Sequence, residues 1–117
     1  MNELKVNSHG TNAKFKFNIL SDKEMRKIGF TDRDKDVWYF CRTLIYDISF
    51  NVCIPKNGNE AWIDILDEEF CQPYDWQYLL AEFRTPIPLI VDHFVKGWML
   101  YLQQRGVIEN YCEEDYI

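Results

Sequence analysis

The hydrophobic period of this chain changes from two to about 3.6 part-way along, and that change predicts its elements. AKFKFNIL (13–20) alternates strictly, with Phe15, Phe17 and Ile19 opposed to Lys14, Lys16 and Asn18. Such alternation gives a half-buried strand with one wet face, and its lysines would blunt a sheet edge. VWYFCRTLIYDISFNVCIP reads as two strands, about 37–46 and 48–55. The first is apolar on both faces, as an inner strand is. The second sets Ile48, Phe50, Val52 and Ile54 against Ser49, Asn51 and Cys53. Tyr46-Asp47 between them carries no hairpin signal, so one long bent strand is the alternative. Asn57-Gly58 supplies the positive φ angles of a tight hairpin. AWIDIL then returns, with Ala61, Ile63 and Ile65 opposed to Trp62, Asp64 and Leu66.

Helical signals flank these strands. Ser21 and Glu24 have capping-box spacing and Gly29 suits a left-handed stop, which predicts a short helix over 22–28. From Pro73 the period becomes helical: Pro needs no donor in a first turn, and Asp75 complements the positive helix end. Trp76, Leu79, Leu80 and Phe83 share one face. A second helix, about 86–105, carries an apolar stripe of Ile87, Ile90, Val91, Phe94, Trp98, Tyr101 and Leu102, with Asp92, His93 and Lys96 on the wet side. Gly106 ends it. The order is β-α-β-β-β-α-α. This predicts a single α+β domain over 1–117, with an antiparallel sheet of about four strands packed on one face by two C-terminal helices. MNELKVNSHGTN (1–12) reads as a loose arm, and about 109–117 as an acidic tail.

Composition narrows the class. The chain has 117 residues, 47% of them hydrophobic and 16% aromatic, enough for one well-filled core. Met1–Gly10 has no apolar leader region, and no run approaches the roughly 18 apolar residues of a membrane span. The expectation is a soluble, cytoplasmic protein with no membrane contact. Cys41, Cys53, Cys71 and Cys112 include no C-x-x-C pair, and they are expected to be reduced and to act as small apolar residues.

Charge changes the picture more. The net charge is −6, but residues 1–59 hold ten Lys/Arg against seven Asp/Glu, whereas 60–117 hold three against twelve. The C-terminal half should repel phosphates and attract basic partners. Direct nucleic-acid binding is therefore not expected. In Lys14-Phe15-Lys16-Phe17, moreover, stacking and charge point to opposite faces.

Candidate chemistry is sparse. Asp64, Asp67, Glu68 and Glu69 are an oxygen-rich cluster of the type that holds magnesium or calcium or works as an acid–base pair. No Lys or His stands close in sequence to complete such a set. Asp32, Asp34 and Asp36 match positions 1, 3 and 5 of a calcium loop, but Val37 and Thr43 stand where Gly and Glu belong. No HExxH, GxSxG or P-loop pattern occurs. The reading is a non-enzymatic protein with no catalytic, metal or cofactor site.

LDEEFCQPYDWQ (66–77), GVIENY (106–111) and the terminal DYI resemble segments of small uncharacterised proteins carried by phages and mobile elements of Gram-positive bacteria, over roughly 37–117. The resemblance implies an accessory role in such an element. Small acidic proteins of that setting include inhibitors of host defence nucleases, the anti-CRISPR class.

The expected function is binding of a basic protein surface, with nucleic-acid mimicry as one form of it. The expected contact residues are Asp64, Asp67, Glu68, Glu69, Tyr74, Asp75, Glu113, Glu114 and Asp115. A homodimeric structural or regulatory protein is the first alternative. A small metal-dependent enzyme using the Asp64–Glu69 carboxylates is the second.

Overall fold

Three antiparallel strands form the centre of the fold: β3 (Val37–Ile45), β4 (Ile48–Pro55) and β5 (Glu60–Asp67). The computed structural model describes residues 5–8, 16–57, 60–83 and 86–111. Around the meander lie β1 (Lys5–Ser8), β2 (Lys16–Phe17), α1 (Asp22–Ile28), β6 (Gln72–Pro73), α2 (Trp76–Phe83), α3 (Pro86–Gln104) and β7 (Ile108–Glu109). The α+β class and the two C-terminal helices hold as read from the sequence.

Alternation decides which face is buried. Trp38 and Phe40 on β3, Phe50, Val52 and Ile54 on β4, and Ala61, Ile63 and Ile65 on β5 are all at most 1% exposed. Each large side chain removed from water in this way contributes about 1.5–3 kcal/mol. α3 covers this face: the Trp98 ring meets the Phe40 ring edge-on at 5.6 Å. α1 closes one end, where Phe30 packs on Phe40 at 5.1 Å and the Tyr101 hydroxyl donates to the Ile28 carbonyl at 2.8 Å. Ser21 caps α1 by accepting from the Glu24 N–H, and Gly29 stops it at φ 126°, as the spacing predicts.

Several expectations are corrected. The strand expected over 13–20 is not in the main sheet. Its described part, Lys16–Phe17, pairs with Ile108–Glu109 in a separate two-stranded sheet. The fully buried Phe17 and the Asn18 bonds to Gly106 and Val107 hold it against the end of α3. Within the expected arm, Lys5–Ser8 instead form β1, parallel to β5. The expected tail begins with Glu109 in β7 and Tyr111 buried; residues 112–117 lie outside the described residues, as do 1–4, 9–15 and Gly58. β3 is an edge strand, not an inner one, and Tyr39, Cys41 and Thr43 on its second face are exposed.

The α3 stripe is rotated from the expected one. Pro88, Val91, Asp92, Val95, Met99 and Leu102 are buried, while Phe94 is 41% exposed. Asp92 turns inward because it has partners there: it accepts from the Trp76 indole N–H at 3.2 Å and from Lys96 at 2.9 Å. Pro73 is not in a helix; it pairs with Leu66, so α2 starts later, at Trp76. No described helix is long and apolar enough to cross a membrane.

Candidate interaction site

The acidic junction of β5 and α2 folds into a turn at one end of the sheet. After Asp67 the chain reverses through Glu68–Cys71 and returns as β6. Asp67 stabilises the reversal by accepting from the Glu69 N–H at 3.1 Å, the local bond that makes Asp frequent in turns. Cys71 completes the turn at φ 52°.

The β3–β4 connection lies beside it. Tyr46-Asp47 is a two-residue hairpin loop, since Ile45 pairs with Ile48. Tyr46 adopts φ 51°, a left-handed conformation that side chains with a Cβ enter at a cost. No Gly or Asn announces the turn, but the division into two strands at Tyr46-Asp47 holds and the single bent strand does not. The Glu68 N–H donates to the Asp47 carbonyl at 2.8 Å and joins the two turns.

The joined turns form a tip with two aromatic side chains in water. Tyr46 is 76% exposed and Phe70 66%, more than any other large apolar side chain described. Around them stand Asp47, Asp67, Glu68 and Glu69. Among the described residues none of these carboxylates has a salt-bridge partner. Among the described residues, two of the three non-glycine positions with positive φ, Tyr46 and Cys71, are in this tip. Strained backbone of this sort collects at functional sites.

The expected contact residues divide accordingly. Asp67, Glu68 and Glu69 are brought together at the tip. Asp75 is exposed, but its work is local: its side chain accepts from the Tyr78 N–H at 3.3 Å and caps α2. Tyr74 is half-buried against the core, and burial together with the nearby Asp67 pushes its phenol pKa up. Asp64 lies three residues before Asp67, half-buried on the outer face opposite Asn51. Glu113, Glu114 and Asp115 lie outside the described residues. Tyr46 and Phe70, exposed beside these acids, are not among the expected residues; their only sequence signal is a large aromatic inside a turn.

Glu68 also ends a chain of side-chain hydrogen bonds across the outer sheet face. The Tyr39 hydroxyl donates to Asn51 Oδ1 at 2.8 Å, Asn51 Nδ2 to Ser49 Oγ at 2.9 Å, and Ser49 Oγ to Glu68 Oε1 at 3.0 Å. All four side chains project from the same side of the meander. The chain anchors Glu68 and fixes the edge of the tip. Partial desolvation of their polar atoms against the sheet raises the pKa values of Tyr39, Cys41 and Cys53 on this face, with nearby Glu68 and Asp64 adding to the effect. Both thiols therefore stay protonated at neutral pH, unlike nucleophilic cysteines. Among the described residues, no three His, Cys, Asp or Glu side chains are grouped to hold a metal ion. Asp67 and Glu68 instead point to separate partners, the Glu69 amide and Ser49.

Asp32 is the one described carboxylate shared by two cations. Lys56 at 3.2 Å and Arg26 at 2.9 Å hold its pKa below the usual value. Arg26 and Lys56 are thus engaged with Asp32, and among the described residues no basic side chain forms a salt bridge with the carboxylates of the tip.

No family model matches the chain, and no curated protein matches it. A solved structure does: a DUF1831 family protein from Lactobacillus plantarum, with a TM-score of 0.70 and 9% sequence identity. The match covers 93% of this chain and 97% of that one. At that identity the likeness is one of fold.

Proposed function

We propose that this protein is a non-enzymatic interaction protein that engages a basic surface on a protein partner through the tip formed by Tyr46-Asp47 and Asp67–Phe70. The observation that carries this reading is the pairing, among the described residues, of the two most exposed aromatics with four carboxylates that have no salt-bridge partner there, the two turns joined by the Glu68–Asp47 backbone bond. Aromatic anchors supply the area that holds a complex together. The carboxylates steer encounter and select cationic partners. Where the partner's surface is a nucleic-acid channel, the tip acts as an acidic mimic, which is the form expected of a mobile-element accessory protein.

The test compares partner capture from host extract by the wild type and by a Tyr46→Ala/Phe70→Ala double variant, each at low and high salt. The reading predicts a partner that the double variant loses and that is released by salt. A partner retained equally by both proteins, or indifferent to salt, would refute it. Nucleic acid added as a competitor then separates channel mimicry, where it displaces the protein, from other basic surfaces.

A further inference from the structure

A second surface, of opposite electrostatic character, runs along the free edge of β3. The bridge between Tyr39 and Thr31 shows which backbone groups point outward, because Tyr39 exchanges both its bonds with Thr31 at 2.8 Å. By antiparallel alternation, the N–H and C=O groups of Cys41 and Thr43 point the same way. Thr31 covers only the Tyr39 portion. The Cys41 carbonyl accepts from Arg42 Nη1 at 2.7 Å. Among the described residues, the Cys41 N–H and both backbone groups of Thr43 have no partner.

Beside this edge lies a groove of about 320 Å³, lined by Thr43, His93, Phe94, Gly97, Trp98 and Tyr101. Gly97 stands in the interior of α3, where glycine costs up to about 1 kcal/mol relative to alanine. Packing does not require it, because a Cβ there would meet nothing within 4 Å. Glycine in such a place lets another backbone approach closely. Cations stand at the groove. The Arg42 guanidinium lies 4.2 Å from the Phe40 ring centre and 5.5 Å from that of Trp98, and Arg105 lies 5.4 Å from that of Tyr101. Neither arginine is paired with a carboxylate among the described residues.

We infer that the channel between β3 and α3 binds an extended acidic peptide segment of a partner protein, which adds to the sheet as a strand beside Cys41–Thr43. Backbone bonds to the open edge supply affinity, and alternate side chains supply specificity. On the groove side, an apolar side chain fills the space over Gly97 and Phe94, and flanking carboxylates reach Arg42 and Arg105. A second copy of this chain fits less well. Two β3 edges related by a dyad centred on the open segment would set Arg42 against Arg42, a like-charge pairing that opposes association.

The probe is a fluorescein-labelled heptapeptide of alternating threonine, with glutamate, leucine and glutamate at the even positions. Its counterpart carries lysine, leucine and lysine there. Fluorescence anisotropy with the full chain should show the glutamate peptide binding at least about tenfold more tightly than the lysine peptide, a difference of about 1.4 kcal/mol. Gly97→Leu, which fills the groove, and Thr43→Pro, which removes an outward N–H, should each weaken binding by about tenfold or more. Gly97→Leu should keep or raise the melting temperature, so lost binding would not reflect unfolding. Tyr46→Ala should leave peptide affinity unchanged. Absence of binding at millimolar peptide, equal affinity for the two peptides, or affinity unaffected by Gly97→Leu would overturn the proposal. So would a wild-type dimer that Gly97→Leu dissociates, which would make a second copy the occupant.

Discussion

The indole N–H of Trp76 donates to the buried carboxylate of Asp92 at 3.2 Å, and this bond joins α2 to α3. Trp76 opens α2 and is 1% exposed; Asp92 is 8% exposed, one turn before Lys96, which completes its set of partners. The pair fixes the rotation of α3 and, with it, which of its residues line the β3 groove. Asp92→Ala removes the acceptor of this indole bond and leaves Lys96 without its acid. It should lower stability in urea unfolding by about 1.5–3 kcal/mol, the range for a hydrogen bond to a charged group. Asp92→Asn keeps the shape and an acceptor, and should cost less.

Asn51 is the middle of the polar chain from Tyr39 to Glu68 and is 4% exposed. Asn51→Ala should destabilise the fold by about 1–3 kcal/mol, because the groups left behind lose partners away from water. Glu68→Gln should cost much less, since Ser49 can still donate to the amide oxygen. Thermal melts of both variants check the ordering.

Tyr46 couples strain to the proposed contact. Its φ of 51° suits Asn or Gly better than an aromatic residue. Tyr46→Asn should raise stability by about 0.5–1 kcal/mol while reducing capture of the tip's partner. A variant that lost stability along with binding would show that the tyrosine is structural.

Alkaline pH should unfold the protein earlier than its carboxylates would suggest. Partial desolvation raises the pKa values of Cys41, Cys53, Tyr39 and Tyr74 in the folded state. In the unfolded chain these groups ionise first, so folding opposes their ionisation. Their contribution is complete below the ordinary thiol value of 9.0 and is lost as pH rises through the folded values. Asp32 acts in the opposite direction. Its lowered pKa contributes stability above the ordinary value of 3.8, and that contribution fades as pH falls through the folded value. Melting temperature should therefore decline on both sides of a broad neutral plateau. Asp32→Asn should remove part of the acid limb only.

Much of this could be read from residue spacing. Period-two alternation located β4 and β5 and their buried faces, because an inward side chain must be apolar wherever one face is covered. Ser21, Glu24 and Gly29 marked α1 for equally local reasons. What escaped depended on distant partners. Asp92 looks wet on any helical projection until Trp76 is placed beside it. The Lys16–Phe17 pairing depends on residues beyond α3. At the candidate site, charge pointed to Asp67, Glu68 and Glu69, but the exposed pair Tyr46 and Phe70 comes together only when two turns meet. The β3–α3 groove left no trace beyond an unexplained glycine, Gly97.

The pairing of Lys16 with Glu109 also constrains how the protein is made. A nascent chain can assemble the β3–β4 hairpin soon after it leaves the ribosome, because that contact is local. Phe17 must wait, solvated, until translation has delivered everything through α3 and Ile108 beyond it. β1 has a shorter delay, until β5 emerges. β2 is therefore the later of the two amino-terminal strands to dock, and until Ile108 emerges Phe17 is a large apolar side chain open to a chaperone.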